Sequence, residues 1–259
     1  MQAWHAPRQW TAIDFISDLH LCAGMPRTQA AFARHLELTT ADAVCLLGDV
    51  FEVWVGDDAR EQAFERSVVA QLSAASRRVE LLFMPGNRDF LAGADLCSAS
   101  GLRLLADPTC LHAWGRQWVL CHGDAQCVDD LAYQAFRRQV RDPAWQREFL
   151  QLPLPQRLDQ ARRMRAASLA RRSMRVETVG DLDRGACRAL LRQAGATTLI
   201  HGHTHRPARH DLGDGLERWV TSDWDLDCSA GARRAEVLRL RADGSLIRCA
   251  PAGDAAPGP

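Results

Sequence analysis

Val44-Cys45-Leu46-Leu47-Gly48-Asp49 is a run of four apolar residues that stops at a glycine and a carboxylate. A run so short and apolar at every position reads as a strand buried on both faces, and the glycine lets the chain turn out of it. The same arrangement occurs four more times. Ile13-Asp14-Phe15-Ile16 leads to Asp18-Leu19-His20, and Leu81 to Met84 leads to Gly86-Asn87-Arg88-Asp89. Trp118 to Cys121 leads to His122-Gly123-Asp124, and Thr198 to Ile200 leads to Gly202-His203-Thr204-His205. Between the first two runs, Ala31, Phe32, His35 and Leu36 recur at helical spacing within Thr28 to Leu38; between the next two, Phe64, Val68 and Leu72 do so within Arg60 to Ser73. This alternation predicts an α/β core.

In open α/β sheets functional groups gather beyond the carboxyl ends of the strands, and all five turns here carry metal-competent side chains. In an extended segment residues two apart point the same way, so Asp18 with His20, and His203 with His205, can each address one ion. Two Asp, one Asn and four His offer oxygen and nitrogen donors without thiolate, a set suited to manganese, iron or zinc rather than calcium. Seven donors exceed what one such ion takes and suit two ions if one carboxylate bridges. Taken singly, each motif also reads as an ordinary polar turn. Five in succession do not. There is no Gly-x-Ser-x-Gly and no Gly-rich loop with Lys, which disfavours a covalent nucleophile.

The rest of the chain bounds the reading. Its 259 residues suit one large domain, expected over 11–250, and 47% apolar with 25% charged residues is ordinary for a globular protein. No apolar run approaches the roughly 20 residues of a membrane span, and Met1 to Trp10 has no apolar centre like that of a secretory signal, so a cytoplasmic protein is expected. Nine scattered cysteines without a CxxC pair read as reduced thiols and not as a zinc site. After the fourth strand, Leu131 to Gln151 and Gln156 to Arg175 read as consecutive helices, with Asp142-Pro143 as a cap and first helical position. They form an expected helical insertion at 128–178. A helix within Asp181 to Gly195 resumes the core, and Leu216 to Trp224, Ala235 to Arg241 and Ser245 to Ala250 alternate like antiparallel strands. The Pro, Gly and Ala tail at 251–259 is expected to be disordered.

Asp-x-His, Gly-Asp, Gly-Asn-x-Asp, His-Gly-Asp and Gly-His-x-His, in this order over Ile13 to His205, resemble the calcineurin-like metallophosphoesterases. The resemblance implies an αββα sandwich with a two-metal site. One ion is then expected on Asp18, His20, Asp49 and His205, the other on Asp49, Asn87, His122 and His203, with Asp49 bridging. Two divalent ions about 3.5–4 Å apart generate hydroxide near neutral pH and clamp phosphoryl oxygens for in-line attack.

The third motif has Arg88 where the commoner pattern of that family has His. Guanidinium cannot act as a general acid, so the leaving group must leave unaided; a phosphate, with a second pKa of about 6, does so. All 32 basic residues are Arg, and eleven of them lie between Leu131 and Val176 against only Asp142, Glu148 and Asp159. A basic island of this kind recognises phosphate or presents a solvated face. Met164, Ala167, Leu169 and Met174 among the Arg suit an anionic amphiphile or membrane headgroups. The aromatic residues there, Tyr133, Phe136, Trp145 and Phe149, offer no evident stacking platform, so nucleic acid is not expected.

Longer stretches, Gly48 to Asp58, Pro85 to Leu91 and Leu199 to Pro207, resemble the UDP-2,3-diacylglucosamine pyrophosphatases of lipid A biosynthesis. The resemblance implies manganese-dependent release of UMP and 2,3-diacylglucosamine 1-phosphate (lipid X), a helical cap over the acyl chains, and peripheral association with the cytoplasmic face of the inner membrane. It implies no obligate protein partner. By position it implies substrate contacts from Asn87, Arg88, Asp130, Ser168, Arg172, Arg175 and His203, with Tyr133 nearby. Two positions depart: the family has Lys where Arg172 and Arg175 stand, and Val176 to Asp181 is unlike its usual continuation. A nucleotide or other phosphodiester as substrate, or a metal-free scaffold of this fold, are the alternatives.

Overall fold

Strands that are apolar on both faces need cover on both, and the protein supplies it in four layers. Its computed structural model describes residues 1–174, 180–229 and 233–253, and the side chains of all of these except 167–174. Among the described residues the chain runs β1 (Gln2–His5), β2 (Ala12–Ile16), α1 (Pro26–Leu38), β3 (Ala43–Leu46), α2 (Ala63–Ala75), β4 (Glu80–Phe83), α3 (Ala94–Ser100), β5 (Arg103–Leu104), β6 (Thr109–Ala113), β7 (Arg116–Cys121), α4 (Leu131–Val140), α5 (Pro143–Leu150), α6 (Leu154–Met174), α7 (Arg184–Ala194), β8 (Thr198–His201), β9 (Arg209–Gly213), β10 (Leu216–Val220), β11 (Val237–Arg241) and β12 (Leu246–Cys249).

The strands form two six-stranded sheets, ordered β1-β6-β7-β8-β10-β9 and β12-β11-β2-β3-β4-β5. The period of two sorts their side chains. Ile13 and Phe15 of β2, and Ala43 and Cys45 of β3, turn toward the other sheet and pack with Leu111, Trp118, Leu120 and Ile200. Ile16, Val44 and Leu46 turn outward, onto Phe32 and Leu36 of α1 and Val68 and Leu72 of α2. On the opposite side Val119, Cys121 and Leu199 meet Cys187 and Leu191 of α7. Helices, sheet, sheet and helix are the αββα sandwich.

One outward position of β2 is charged. Asp14 is fully buried and accepts from Arg239 of β11 at both oxygens, 2.6 and 2.8 Å, and from Thr39 at 2.6 Å. Burial pushes its carboxyl up, but Arg239, His35 and Thr39 outweigh that and hold it below the usual range.

The five apolar runs are β2, β3, β4, β7 and β8, whereas β1, β5, β6 and β9 had no clear mark in the sequence. Of these, β1, β5 and β9 lie at sheet edges, where no continuous apolar run is required. The cap and first helical position expected at Asp142-Pro143 are found there: Asp142 accepts from Ala144 N and Trp145 N as the cap of α5, so the stretch Leu131 to Gln151 holds two helices, α4 and α5. In the expected tail, Pro251 is buried and Ala252 N donates to His35 Nδ1 at 3.0 Å; residues 254–259 lie outside the described residues.

Candidate metal centre

The turns after β2, β3, β4, β7 and β8 meet at one end of the sandwich. They do so through strained backbone and not through the extended geometry assumed for Asp18-x-His20 and His203-x-His205. Asp18, His20, Asp49, His203 and His205 all have φ between 47° and 69°, the left-handed region, which non-glycine residues rarely enter. Such strain persists only where surroundings over-determine it, and it clusters at functional sites. Here the turns are knitted together: Asp18 N donates to Gly48 O, His20 N to Asp49 O, and Gly202 N to His122 O, at 2.9–3.0 Å. His203 N donates to Asp18 Oδ2 at 2.9 Å, and Arg88 N to Asp49 Oδ1 at 2.8 Å. Gly48 has φ 92°, and a Cβ there would fall 2.5 Å from His122 Nδ1.

Two neighbouring groups of donors result, with Asp49 between them. In the first, His205 Nε2 is 3.4 Å from Asp18 Oδ1 and 3.2 Å from His20 Nε2, and His20 Nε2 is 3.9 Å from Asp49 Oδ2. In the second, His122 Nε2 is 3.7 Å from Asp49 Oδ1 and 3.0 Å from Asn87 Oδ1, which in turn is 2.9 Å from His203 Nδ1. Each oxygen of Asp49 thus faces a different group.

Several electron pairs face one another, as a cation requires. The carbonyl of Leu47 can only accept, so His122 Nδ1 donates to it at 2.9 Å, which in a neutral ring leaves the Nε2 lone pair aimed at two oxygens. Asp18 Oδ1 is buried without a hydrogen-bond partner among the described residues. Burial alone lowers the His122 pKa, but Asp49, Asp124 and Asp18 outweigh it and lift it to about 9, so the protein field demands positive charge here. Burial and the neighbouring His122 push His203 down to about 4, which leaves a neutral ring able to ligate. Thiolates do not compete: burial raises Cys121 well above its usual value and Cys127 to about 12. The residues fit two divalent ions bound by oxygen and nitrogen.

Outer carboxylates lie beside two of the rings, where metal-binding histidines usually have one. His20 Nδ1 lies 3.2 Å from Glu52 Oε2, and His205 Nδ1 lies 3.7 Å from Asp223 Oδ2, itself held by Arg234 at 2.8 Å. Neither carboxylate was singled out from sequence. Glu52 follows Asp49 by three residues and was open to notice, whereas nothing near Asp223 marks it. Asp89 is no donor to either group. It accepts from Gly86 N and Val50 N, both at 2.7 Å, and ties the second and third turns together.

The insertion reaches the centre from one side. Tyr133 of α4 donates its hydroxyl to the buried carboxylate of Asp124 at 2.7 Å, and its ring lies 6.0 Å from that of His203. Asp130 caps α4 by accepting from Tyr133 N. Arg88 is half-buried, with Nε free of hydrogen-bond partners among the described residues. The side chains of Ser168 and Arg172, and Arg175 altogether, lie outside the described residues.

The basic island is in part consumed by structure. Arg137 Nε donates to Asp124 at 2.8 Å, Arg141 donates to Gly86 O at 2.9 Å, Arg157 pairs with Asp58, and Arg165 pairs with Glu52. A count of charges therefore overstated what the island offers to phosphate.

A family model for calcineurin-like phosphoesterases matches residues 11–207. The chain belongs to the calcineurin-like phosphoesterase family. Within it, the chain is similar over most of its length to curated proteins called UDP-2,3-diacylglucosamine hydrolase. The protein of that name from Ralstonia nicotianae is 46% identical, over 90% of this chain and 90% of its own. The one from Xanthomonas axonopodis pv. citri is 42% identical, over 90% of this chain and 96% of its own. Membership agrees with the sandwich, the five turns and the paired donor groups. The phosphoesterase chemistry of the family needs divalent ions, and the Asp18, His20, His205 and the Asp18, Asp49, His122 clusters offer places for them.

Proposed function

We propose that this phosphoesterase hydrolyses the pyrophosphate of UDP-2,3-diacylglucosamine, giving UMP and 2,3-diacylglucosamine 1-phosphate through attack of water on the UMP-side phosphorus. The names and coverage of the curated relatives support the substrate. The observation that carries the reaction class is the division of Asp49, one oxygen toward His20 and the other toward His122. Asp18, His20, Asp49 and His205 would hold one ion, and Asp49, Asn87, His122 and His203 the other. The ions, when bound, supply Lewis-acid activation of water and neutralise developing charge; manganese fits the donor set.

The chain's own groups complete the chemistry. Arg88, with unspent donors at the edge of the second group, holds the phosphoryl oxygens in place and favours the charge that builds there. Its guanidinium gives up no proton at working pH, which suffices because the departing sugar phosphate is a good leaving group. Tyr133 presents its ring beside His203, its hydroxyl being committed to Asp124. Asp130, Ser168, Arg172 and Arg175 complete the substrate contacts in this reading.

The partner is an acylated UDP-sugar drawn from a membrane surface. Among the described residues no helix is long and apolar enough to cross a membrane. Leu131, Leu150 and Met164 of the insertion are exposed, which suits peripheral contact with the inner face of the cytoplasmic membrane. The test is turnover by manganese-loaded protein of UDP-2,3-diacylglucosamine and of simple phosphodiesters, the former in isotopically heavy water. Label in UMP and strong preference for the sugar nucleotide are expected. Equal turnover of both substrates overturns the assigned substrate, and label in the sugar phosphate overturns the site of attack.

A further inference from the structure

Val55-Gly56-Asp57-Asp58 ends one of the stretches that mark this chain, yet none of its residues reaches the metal centre. Asp57 is accounted for within the core: it accepts from Gly93 N and Leu96 N at 3.0 Å, at the start of α3, and from Trp54 Nε1 at 3.1 Å. Asp58 turns the other way, to Arg157 in the first turn of α6.

Arg157 is sealed from solvent, with a side chain 4% exposed. Its Nη1 donates to Asp58 Oδ1 at 2.9 Å and to Val55 O at 2.5 Å, and its Nε donates to Leu152 O at 2.8 Å. Its Nη2 makes a second bond, to Asp58 Oδ2. The fork is thus spent on a carboxylate and two carbonyls, with nothing left for a ligand in that direction. Gly56 makes room for it: φ is 129°, and a Cβ would fall 2.3 Å from Arg157 Nη1 and 2.7 Å from Leu150 Cδ2. Around this polar contact a small apolar core of Val55, Leu91 and Phe149 joins the insertion to the loop beyond β3.

We propose that the Asp58–Arg157 pair is the anchor that sets the position of the insertion over the metal centre, and that Asp58 and Arg157 are thereby positioning residues for substrate selection. This rests on the substrate reading given above. Arg157 lies near the start of α6, whose 21 residues make a rod of about 30 Å, so a tilt of about 6° at the anchor moves the far end by about 3 Å. A small diester needs only the metals and Arg88. An acylated UDP-sugar must touch the insertion and the metals together, and misplacement by about 1 Å costs such a substrate up to about 100-fold.

The experiment uses the full-length, manganese-loaded protein with Asp58→Asn, and Arg157→Lys as a second variant that keeps charge but loses the fork. Metal content, hydrolysis of bis(p-nitrophenyl) phosphate, kcat and KM for UDP-2,3-diacylglucosamine, and amide hydrogen exchange are measured. Unchanged metal content, diester hydrolysis within about twofold, a KM for the sugar nucleotide raised about tenfold or more, and faster exchange confined to α4, α5 and α6 are expected. Parallel loss on both substrates, or a KM and an exchange pattern like those of the unaltered protein, overturns the anchor. If the unaltered protein does not turn over the sugar nucleotide, the substrate reading fails; the anchor is then judged by exchange alone, and unchanged exchange in the insertion overturns it.

Discussion

Replacing Tyr133 with Phe removes one oxygen and leaves the ring beside His203. That oxygen donates at 2.7 Å to Asp124, whose carboxyl is fully buried and whose other described side-chain donor is Arg137 Nε at 2.8 Å. Burial raises the Asp124 pKa, but His122 and Arg137 outweigh it and hold the group ionised, so the lost bond is one to a charge. Burial and Asp124 push the Tyr133 hydroxyl far up, so it remains a donor throughout the accessible pH range. Bonds to charged acceptors contribute about 1.5–3 kcal/mol, and ring packing is untouched, so Tyr133→Phe is expected to cost about 2 kcal/mol. For a chain of this size that is a fall in Tm of about 4–8 °C. Arg137→Gln in the same background should reveal a coupling above about 0.5 kcal/mol, because both donors serve one carboxylate. Thermal unfolding of the two single variants and the double variant measures both quantities. Tm values within 1 °C of the unaltered protein for Tyr133→Phe, or strict additivity, would refute the view that Asp124 fastens α4 to the turn after β7.

Three further outcomes follow from the centre and the core. Asp49→Ala removes the residue common to both donor groups, so metal analysis should find far fewer than two ions per chain and turnover should vanish; retention of full turnover contradicts the shared-carboxylate reading. Arg88→Ala should lower kcat about 100-fold or more while metal content holds, as expected of a group that meets charge developing in the transition state; an effect on KM alone would count against that role. Asp14→Asn should cost about 3 kcal/mol, since it strips Arg239 of a buried partner. Because the folded carboxyl is held below its unfolded value of about 3.9, its contribution is present above that pH and is lost as pH falls further through the folded value. Chemical denaturation between pH 3 and 7 should therefore show an acid loss in the unaltered protein that is smaller in Asp14→Asn.

Much of this molecule is local in origin, and that part was legible. Four buried positions in a row, as at Val44 to Leu47, or a four-residue spacing, as at Phe64, Val68 and Leu72, are recorded directly in the chain because each element buries its own periodic face. The Gly-Asp and Gly-His turns were visible for the same reason, and so were the seven side chains able to bind metal. Asp18 and His20 do not lie on extended chain, because the left-handed turn at each is held by hydrogen bonds that its N–H donates to carbonyls of the turn after β3. The cap at Asp142-Pro143 was legible as well, since its signal lies in two adjacent residues.

What only the tertiary structure decided is which charges are spent on one another. Arg137, Arg141, Arg157 and Arg165 look alike in sequence, yet each is tied to a group of the core 13 to 113 positions away. Glu52 and Asp223 became partners of His20 and His205 in the same way, as did Asp14 of Arg239, 225 positions apart. Pattern and residue type determined the layered fold and the inventory of donors, since both follow from how a segment meets water. Pairings across such separations leave no periodic trace, because they are selected by the geometry of packed elements and not by the chemistry of a segment alone.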